Sequence, residues 1–163
     1  MTTAPTDALL HKILTETKTI AVVGVSTNPV RPSYFVMRYL HMRNYRLIPI
    51  NPAYAGQTLF GQTILASIKD IPAETPVDML DIFRRPEFVS DLVDDAITHL
   101  GGRLKTIWMQ IGVEHAGAAR RASEAGLQMV QNRCPKIEYQ RLFGELRRAG
   151  FNTGIISSKL PRL

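Results

Sequence analysis

The apolar residues of this chain change period along its length, and the changes mark out its elements. Leu9, Leu10, Ile13 and Leu14 fall on one face of a helix that Thr6-Asp7 can cap. Thr19-Ile-Ala-Val-Val-Gly-Val25 is instead a continuous β-branched run, the pattern of a strand buried on both faces. A loop over 26–31 follows, and Pro32 suits the first turn of a helix running to about Arg43. Tyr45-Arg-Leu-Ile-Pro-Ile50 reads as a second strand, stopped by Asn51-Pro52, which completes a βαβ unit. The alternation continues with a short or irregular strand within 58–64, a helical turn over 65–70 and a strand over 77–83. A helix then runs from Pro86 to the Gly101-Gly102 stop. A strand over 105–110, a helix over 114–125, a strand over 127–130 and a final helix over 135–148 complete the chain.

Strands alternating with helices predict an α/β fold, a doubly wound parallel sheet with helices on both faces and right-handed crossovers. Ligands of such sheets bind beyond the carboxyl ends of the strands, at the point where the strand order reverses. Four loops therefore carry the candidate chemistry: 24–33, 51–56, 83–86 and 110–114.

Composition narrows the class. With 163 residues, 45% hydrophobic and 21% charged, the chain suits one globular domain spanning 1–163, with its core over about 10–142. One cysteine excludes a disulfide framework, and no stretch approaches the ~20 apolar residues of a membrane helix. The first residues lack the order of a secretory signal, so the expectation is a soluble, cytoplasmic protein without a membrane partner. The net charge of +6 is unevenly spread. Residues 1–60 hold six basic and two acidic residues, or +4; 61–130 hold seven and ten, or −3; the last 33 hold seven and two, or +5. No Lys/Arg run exceeds two residues and no stacking aromatics accompany them. A solvated basic helix and tail over 135–163 thus explains the excess better than a nucleic-acid footprint. The +4 segment equally suits a basic rim that attracts a small polyanion.

The first loop reads Gly24-Val25-Ser26-Thr27-Asn28-Pro29-Val30-Arg31-Pro32-Ser33. Gly24 permits a tight turn, and the helix after it offers N–H groups and a partial positive charge to an anion. Ser26, Thr27, Asn28 and Ser33 add polar side chains, and Arg31 can meet a phosphate with two donors. A plain βα turn with a surface arginine would read the same way. The dinucleotide pattern G-x-G-x-x-G is absent, and Asn51 stands where NAD recognition wants a carboxylate, which disfavours NAD.

Five segments occur in order: Val23-Gly-Val-Ser…Arg31-Pro-Ser33, Ile50-Asn-Pro52, Asp81-Ile-Phe-Arg-Arg-Pro86, Trp108-Met-Gln-Ile-Gly112 and Asn132-Arg-Cys-Pro-Lys-Ile-Glu138. Together they resemble the small stand-alone CoA-binding proteins, relatives of the N-terminal domain of the succinyl-CoA synthetase alpha subunit. The resemblance covers about residues 10–142. It implies a Rossmann-like domain with coenzyme A laid across the strand ends. It also implies a diphosphate held by the Gly24-Val25 turn with Ser26, Thr27, Asn28, Arg31 and Ser33. Asn51 and Pro52 would flank the adenosine, Phe83 and Arg84 the middle of the ligand, and Gln110, Ile111 and Gly112 the pantetheine side. The family often carries a Lys just after Asn-Pro, where this chain has Ala53-Tyr-Ala-Gly56, so either Arg84 or Arg85 serves a 3′-phosphate in its place or that phosphate is recognised only weakly. Alternatively, either arginine pairs with Glu87 or Asp81 at the surface.

Catalytic signals are sparse. His11, His41, His99 and His115 are scattered, without metal-ligand spacing, and no G-x-S-x-G elbow exists. Asp94 and Asp95 point apart on a helix, and Asp78 and Asp81 fall on opposite faces of a strand. The chain is too short to add the domain with a phosphorylated histidine that the synthetase relatives use. Cys134 opens the last helix beside Arg133 and Lys136 and has two readings: a ligand-facing thiol with a lowered pKa, or a small buried residue. The leading expectation is a CoA or acyl-CoA carrier, sensor or accessory protein without chemistry of its own and with no metal. The alternatives are an NAD(P)- or acyl-CoA-dependent enzyme using the same site and, more weakly, a nucleic-acid module.

Overall fold

The computed structural model describes residues 4–145. Helix α1 (Asp7–Glu16) starts at Thr6, whose hydroxyl accepts the Leu9 N–H at 3.1 Å. It leads into β1 (Thr19–Val23), then α2 (Pro32–Met42) and β2 (Arg46–Ile50). A short turn over Pro52–Tyr54 precedes a small hairpin of β3 (Thr58–Leu59) and β4 (Gln62–Thr63). Then come β5 (Met79–Ile82), α3 (Val89–Leu100), β6 (Thr106–Met109), α4 (Ala116–Glu124), β7 (Gln128–Val130) and α5 (Pro135–Leu142). The irregular strand expected over 58–64 is that hairpin, pairing with itself and not with the main sheet. The last helix was expected to reach Arg148; it ends at Leu142, and 146–163 lie outside the described residues.

Five strands form one parallel sheet in the order β2-β1-β5-β6-β7, so the winding reverses between β1 and β5. This is the Rossmann-like, doubly wound α/β arrangement. Alternate residues of each strand feed two apolar layers. Ala21, Val23, Leu80, Ile82, Ile107 and Met109 face α3 and α4. Ile20, Val22, Met79 and Trp108 face α1, α2 and α5. Full burial is worth roughly 1.5–3 kcal/mol for each large apolar side chain, which is why short strands suffice. Pro49 is tolerated because β2 is the edge strand, where a missing N–H breaks no ladder. Leu65 covers that edge: its N–H donates to Pro49 O, and its carbonyl accepts from Asn51 N–H, each at 2.9 Å.

One strand residue violates the pattern. Asp81 is fully buried on β5, in register with Val22 and Trp108, on the face that carries Met79. Its two oxygens lie 2.9 and 3.1 Å from Nε2 of Gln110. Burial pushes its pKa up to about 7, although the Gln110 hydrogen bond acts in the opposite direction. Asp78, by contrast, sits outside the strand, and its Oδ2 accepts the N–H groups of Lys18 and Thr19 at 2.9 Å each.

The burial of Asp81 makes stability pH-dependent with a definite sign. The folded carboxyl holds its proton up to about pH 7, whereas the unfolded one releases it near 4. The folded state therefore binds more protons between these values, and its stability falls as pH rises through that window. Asp81→Asn keeps the shape and removes the titration. Its stability advantage over wild type should grow between about pH 4 and 7, by at most about 1.4 kcal/mol per pH unit, and then level off. Urea unfolding across this range checks it; a difference independent of pH contradicts it.

Candidate functional site

At the end of β1 the chain must turn in very little space. Gly24 adopts φ +87°, and a Cβ there would sit 2.2 Å from the Phe83 carbonyl oxygen, so only glycine fits. Backbone bonds lock the turn: Gly24 N–H to Ile50 O at 2.9 Å, and Phe83 N–H to Val23 O at 2.8 Å. The loop beyond is folded by its own side chains. Ser26 Oγ accepts the Asn28 N–H at 3.0 Å, and Asn28 Oδ1 accepts the Val30 N–H at 3.1 Å. Arg31 is the N-cap of α2, but its side chain makes no capping bond, so the helix start with Pro32 and buried Ser33 faces the cleft.

The other three loops close around this turn. Asn51 donates through Nδ2 to Val25 O at 2.7 Å and accepts the Ala53 N–H at 2.9 Å. Its amide thus ties the first two loops together. After β5, Arg84 lies over the Phe88 ring at 4.1 Å, while Arg85 is paired with Glu87 at 3.7 Å. That pair is mostly exposed (80% and 63%), so it holds Arg85 weakly and leaves it available to an anion. After β6, the chain turns at Gly112 (φ +84°), whose N–H donates to Asn132 Oδ1 at 2.8 Å.

The result is a cleft of about 730 Å³ over the switch point. Of the residues singled out from sequence, it brings together Gly24, Val25, Ser26, Arg31, Ser33, Asn51, Phe83, Arg84, Arg85, Gln110, Ile111, Gly112 and Cys134. Pro52 lines a contiguous hollow of about 210 Å³ that shares Gly24, Asn51 and Arg84 with the cleft. Thr27 and Asn28 line neither cavity; Asn28 is spent on folding its loop. Pro32, Tyr54, Pro86 and Val113 also line it; they fall within the four loops expected to carry the chemistry, although none was singled out. Val36 and Asp81 behind Gln110 were missed, and only a spatial signal reveals these two, because nothing in their local sequence distinguishes them from core.

Among the described residues, three arginines and no carboxylate line the cleft. A second hollow of about 540 Å³ lies at the opposite ends of the strands, among Glu16, Asp78, Gly101, Lys105 and Gly126. The C-terminal ends of α1, α3 and α4 converge there, with their partial negative charge. An anionic ligand is favoured at the first cleft and disfavoured at the second.

Cys134 takes the second of its two readings, the small buried residue. It is 3% exposed, and burial drives its thiol pKa up to about 11, against the smaller downward pull of the Ile137 and Lys136 N–H groups. The lowered pKa suggested by Arg133 and Lys136 does not occur. Arg133 reaches outward to Glu138 at 3.2 Å, and Lys136 is itself buried, with its pKa pushed down to about 8. Desolvation outweighs the neighbouring charge.

Comparison with known proteins places this geometry. The uncharacterized protein YneT of Bacillus subtilis is 29% identical over 135 residues, covering 83% of this chain and 95% of its own. A Thermus thermophilus structure superposes with a TM-score of 0.79 at 37% identity, covering 85% of this chain and all of that one. A hypothetical protein from Pyrococcus horikoshii OT3 also reaches 0.79, at 35% identity over 88% of this chain and 99% of its own. The family model described as the CoA binding domain matches residues 18–140, from the residue before β1 into α5. The chain belongs to the CoA binding domain family.

Proposed function

We propose that this protein binds coenzyme A, or an acyl-CoA, across the carboxyl ends of β1, β5 and β6 and performs no chemistry on it, serving as a carrier, sensor or accessory protein. The observation that carries this reading is the cleft over the switch point, where a glycine cradle, a helix start and three arginines converge without an opposing carboxylate. The start of α2, with its partial positive charge and the Ser33 N–H, and the Arg31 side chain suit a diphosphate. Arg84 and Arg85 are within the same cleft and suit the 3′-phosphate, in place of the lysine absent after Pro52. Phe83, Ile111 and Val113 form an apolar wall for the pantetheine arm. The titratable groups of the lining are arginines, Tyr54 and a buried thiol, which hold a ligand but do not form a poised acid–base pair.

The first measurement compares ligands. CoA should bind more tightly than NAD, because Asn51 offers no carboxylate to the NAD ribose and CoA carries the extra phosphate. The advantage should shrink as salt rises, since the arginines are partly exposed and screened. Titrations of both at two salt concentrations check this. NAD binding as tight as CoA favours an NAD-dependent enzyme instead.

Arg31 is the only fixed positive charge between Ser26 and Ser33. Arg31→Ala should weaken CoA by about 1.5–3 kcal/mol, roughly 10- to 150-fold. Calorimetry with unchanged affinity would return the loop to an ordinary βα turn.

Cys134 should react slowly. At pH 8 a maleimide should label the native protein far more slowly than the urea-unfolded chain, and CoA should slow it further by covering the cleft. Labelling at the rate of a small-molecule thiol would show that the residue is not enclosed.

A further inference from the structure

Asp81 is an expensive residue in its place. A fully buried carboxyl costs stability that an apolar residue of similar size would not, and its surroundings on β5 are apolar. Among the described residues, its side-chain hydrogen-bond partner is Gln110. Gln110 lines the cleft and is 6% exposed, so it stands between the buried acid and the ligand space.

The chemistry of this pair constrains the amide. An ionised carboxylate only accepts hydrogen bonds, so it demands the NH₂ edge of Gln110. Nε2 lies 2.9 and 3.1 Å from its two oxygens, as that demand requires. The amide is planar, so committing its nitrogen to Asp81 leaves Oε1 as the edge that a ligand in the cleft can meet. Two neighbouring backbone donors are taken: Gly112 N–H by Asn132 Oδ1, and Val113 N–H by Gln110 O. Around them stand Ile111 and Val113. Gln110 therefore adds an oriented side-chain acceptor beside apolar side chains. A pantetheine arm carries secondary amides whose N–H groups such an acceptor fits.

We propose that Asp81 is a positioning residue: from beneath the cleft it holds the Gln110 amide with Oε1 toward the ligand, to accept a hydrogen bond from a pantetheine amide N–H. The inference rests on the CoA reading above. Asp81 touches no ligand itself; it decides which edge of Gln110 the ligand meets. An asparagine at 81 both donates and accepts, so it would let Gln110 present either edge.

The experiment compares CoA with 3′-phospho-ADP, which keeps the nucleotide and diphosphate but lacks the pantetheine arm. Binding is measured at pH 8 for wild type, Asp81→Asn, Gln110→Leu and the double variant. Asp81→Asn should weaken CoA about 3- to 10-fold, the scale of one hydrogen bond, and leave 3′-phospho-ADP within about twofold. Gln110→Leu should produce the same selective loss, and adding Asp81→Asn to it should cost nothing more. Equal weakening of both ligands by Asp81→Asn would make the residue merely structural and overturn the proposal, as would unchanged CoA affinity. An additional loss in the double variant would overturn action through Gln110. Wild-type protein that binds neither ligand would overturn the CoA reading itself, which separates that failure from the others.

Discussion

The chains leaving β1 and β5 run so close together that the Phe83 carbonyl occupies the space a side chain at position 24 would need. These strands are neighbours in the sheet, yet the helices that follow them, α2 and α3, pack on opposite faces. The two paths must separate at the strand ends, and the gap between them is the cleft. Glycine at 24 lets them separate late, so the gap is narrow at its floor and the start of α2 lies directly over it. Asn51 then ties the loop after β1 to the loop after β2 through the Val25 carbonyl. The site is thus a consequence of winding direction plus one residue without a Cβ, not of any inserted segment.

The same winding polarises the molecule. In a parallel sheet every crossover helix runs antiparallel to the strands, so helix starts collect at one edge and helix ends at the other. The cleft edge receives the start of α2 and the arginines at 31, 84 and 85. The far edge receives the ends of α1, α3 and α4, with Glu16 and Asp78. Two hollows of comparable size therefore differ in the sign of the charge they welcome. The overall excess of basic residues does not decide this, since much of it lies in the last 33 residues.

The elements were legible in the sequence because each strand buried on both faces had to be a continuous apolar run, as Thr19–Val23 is. Proline also starts helices visibly at 32 and 135. The switch-point loops followed from strand order, so most cleft residues could be named. What stayed open or hidden has a common physical cause. Cys134 beside two basic residues left two readings, an activated thiol or a small buried residue, because exposure decides whether charge or desolvation wins, and exposure is a property of packing. Asn51 reads as flanking a ligand and does line the cleft, but its second role, tying two loops together through backbone groups, needs neighbours that only the fold brings within reach. The segment 58–64 was ambiguous because a two-residue strand carries no period.

Asp81 shows why such a residue escapes a pattern-based reading. In sequence it sits in Met79-Leu-Asp-Ile82, where a single acid interrupting a buried strand looks like a half-exposed edge. In space β5 is the central strand, flanked by β1 and β6, and both of its faces are covered. Among the described residues, the side chain that hydrogen-bonds it is Gln110. A hydrophobic residue would have given a more stable strand, since one amide bond does not offset the desolvation of a carboxylate. What the acid adds is direction: it is acceptor-only when ionised, and it is held by the most constrained part of the sheet. An oriented amide on a loop would otherwise rotate freely, and a rotating amide offers a ligand a donor as readily as an acceptor. Rigidity in the strand is thereby converted into polarity in the cleft, at a cost in stability that the two apolar layers around the sheet can carry.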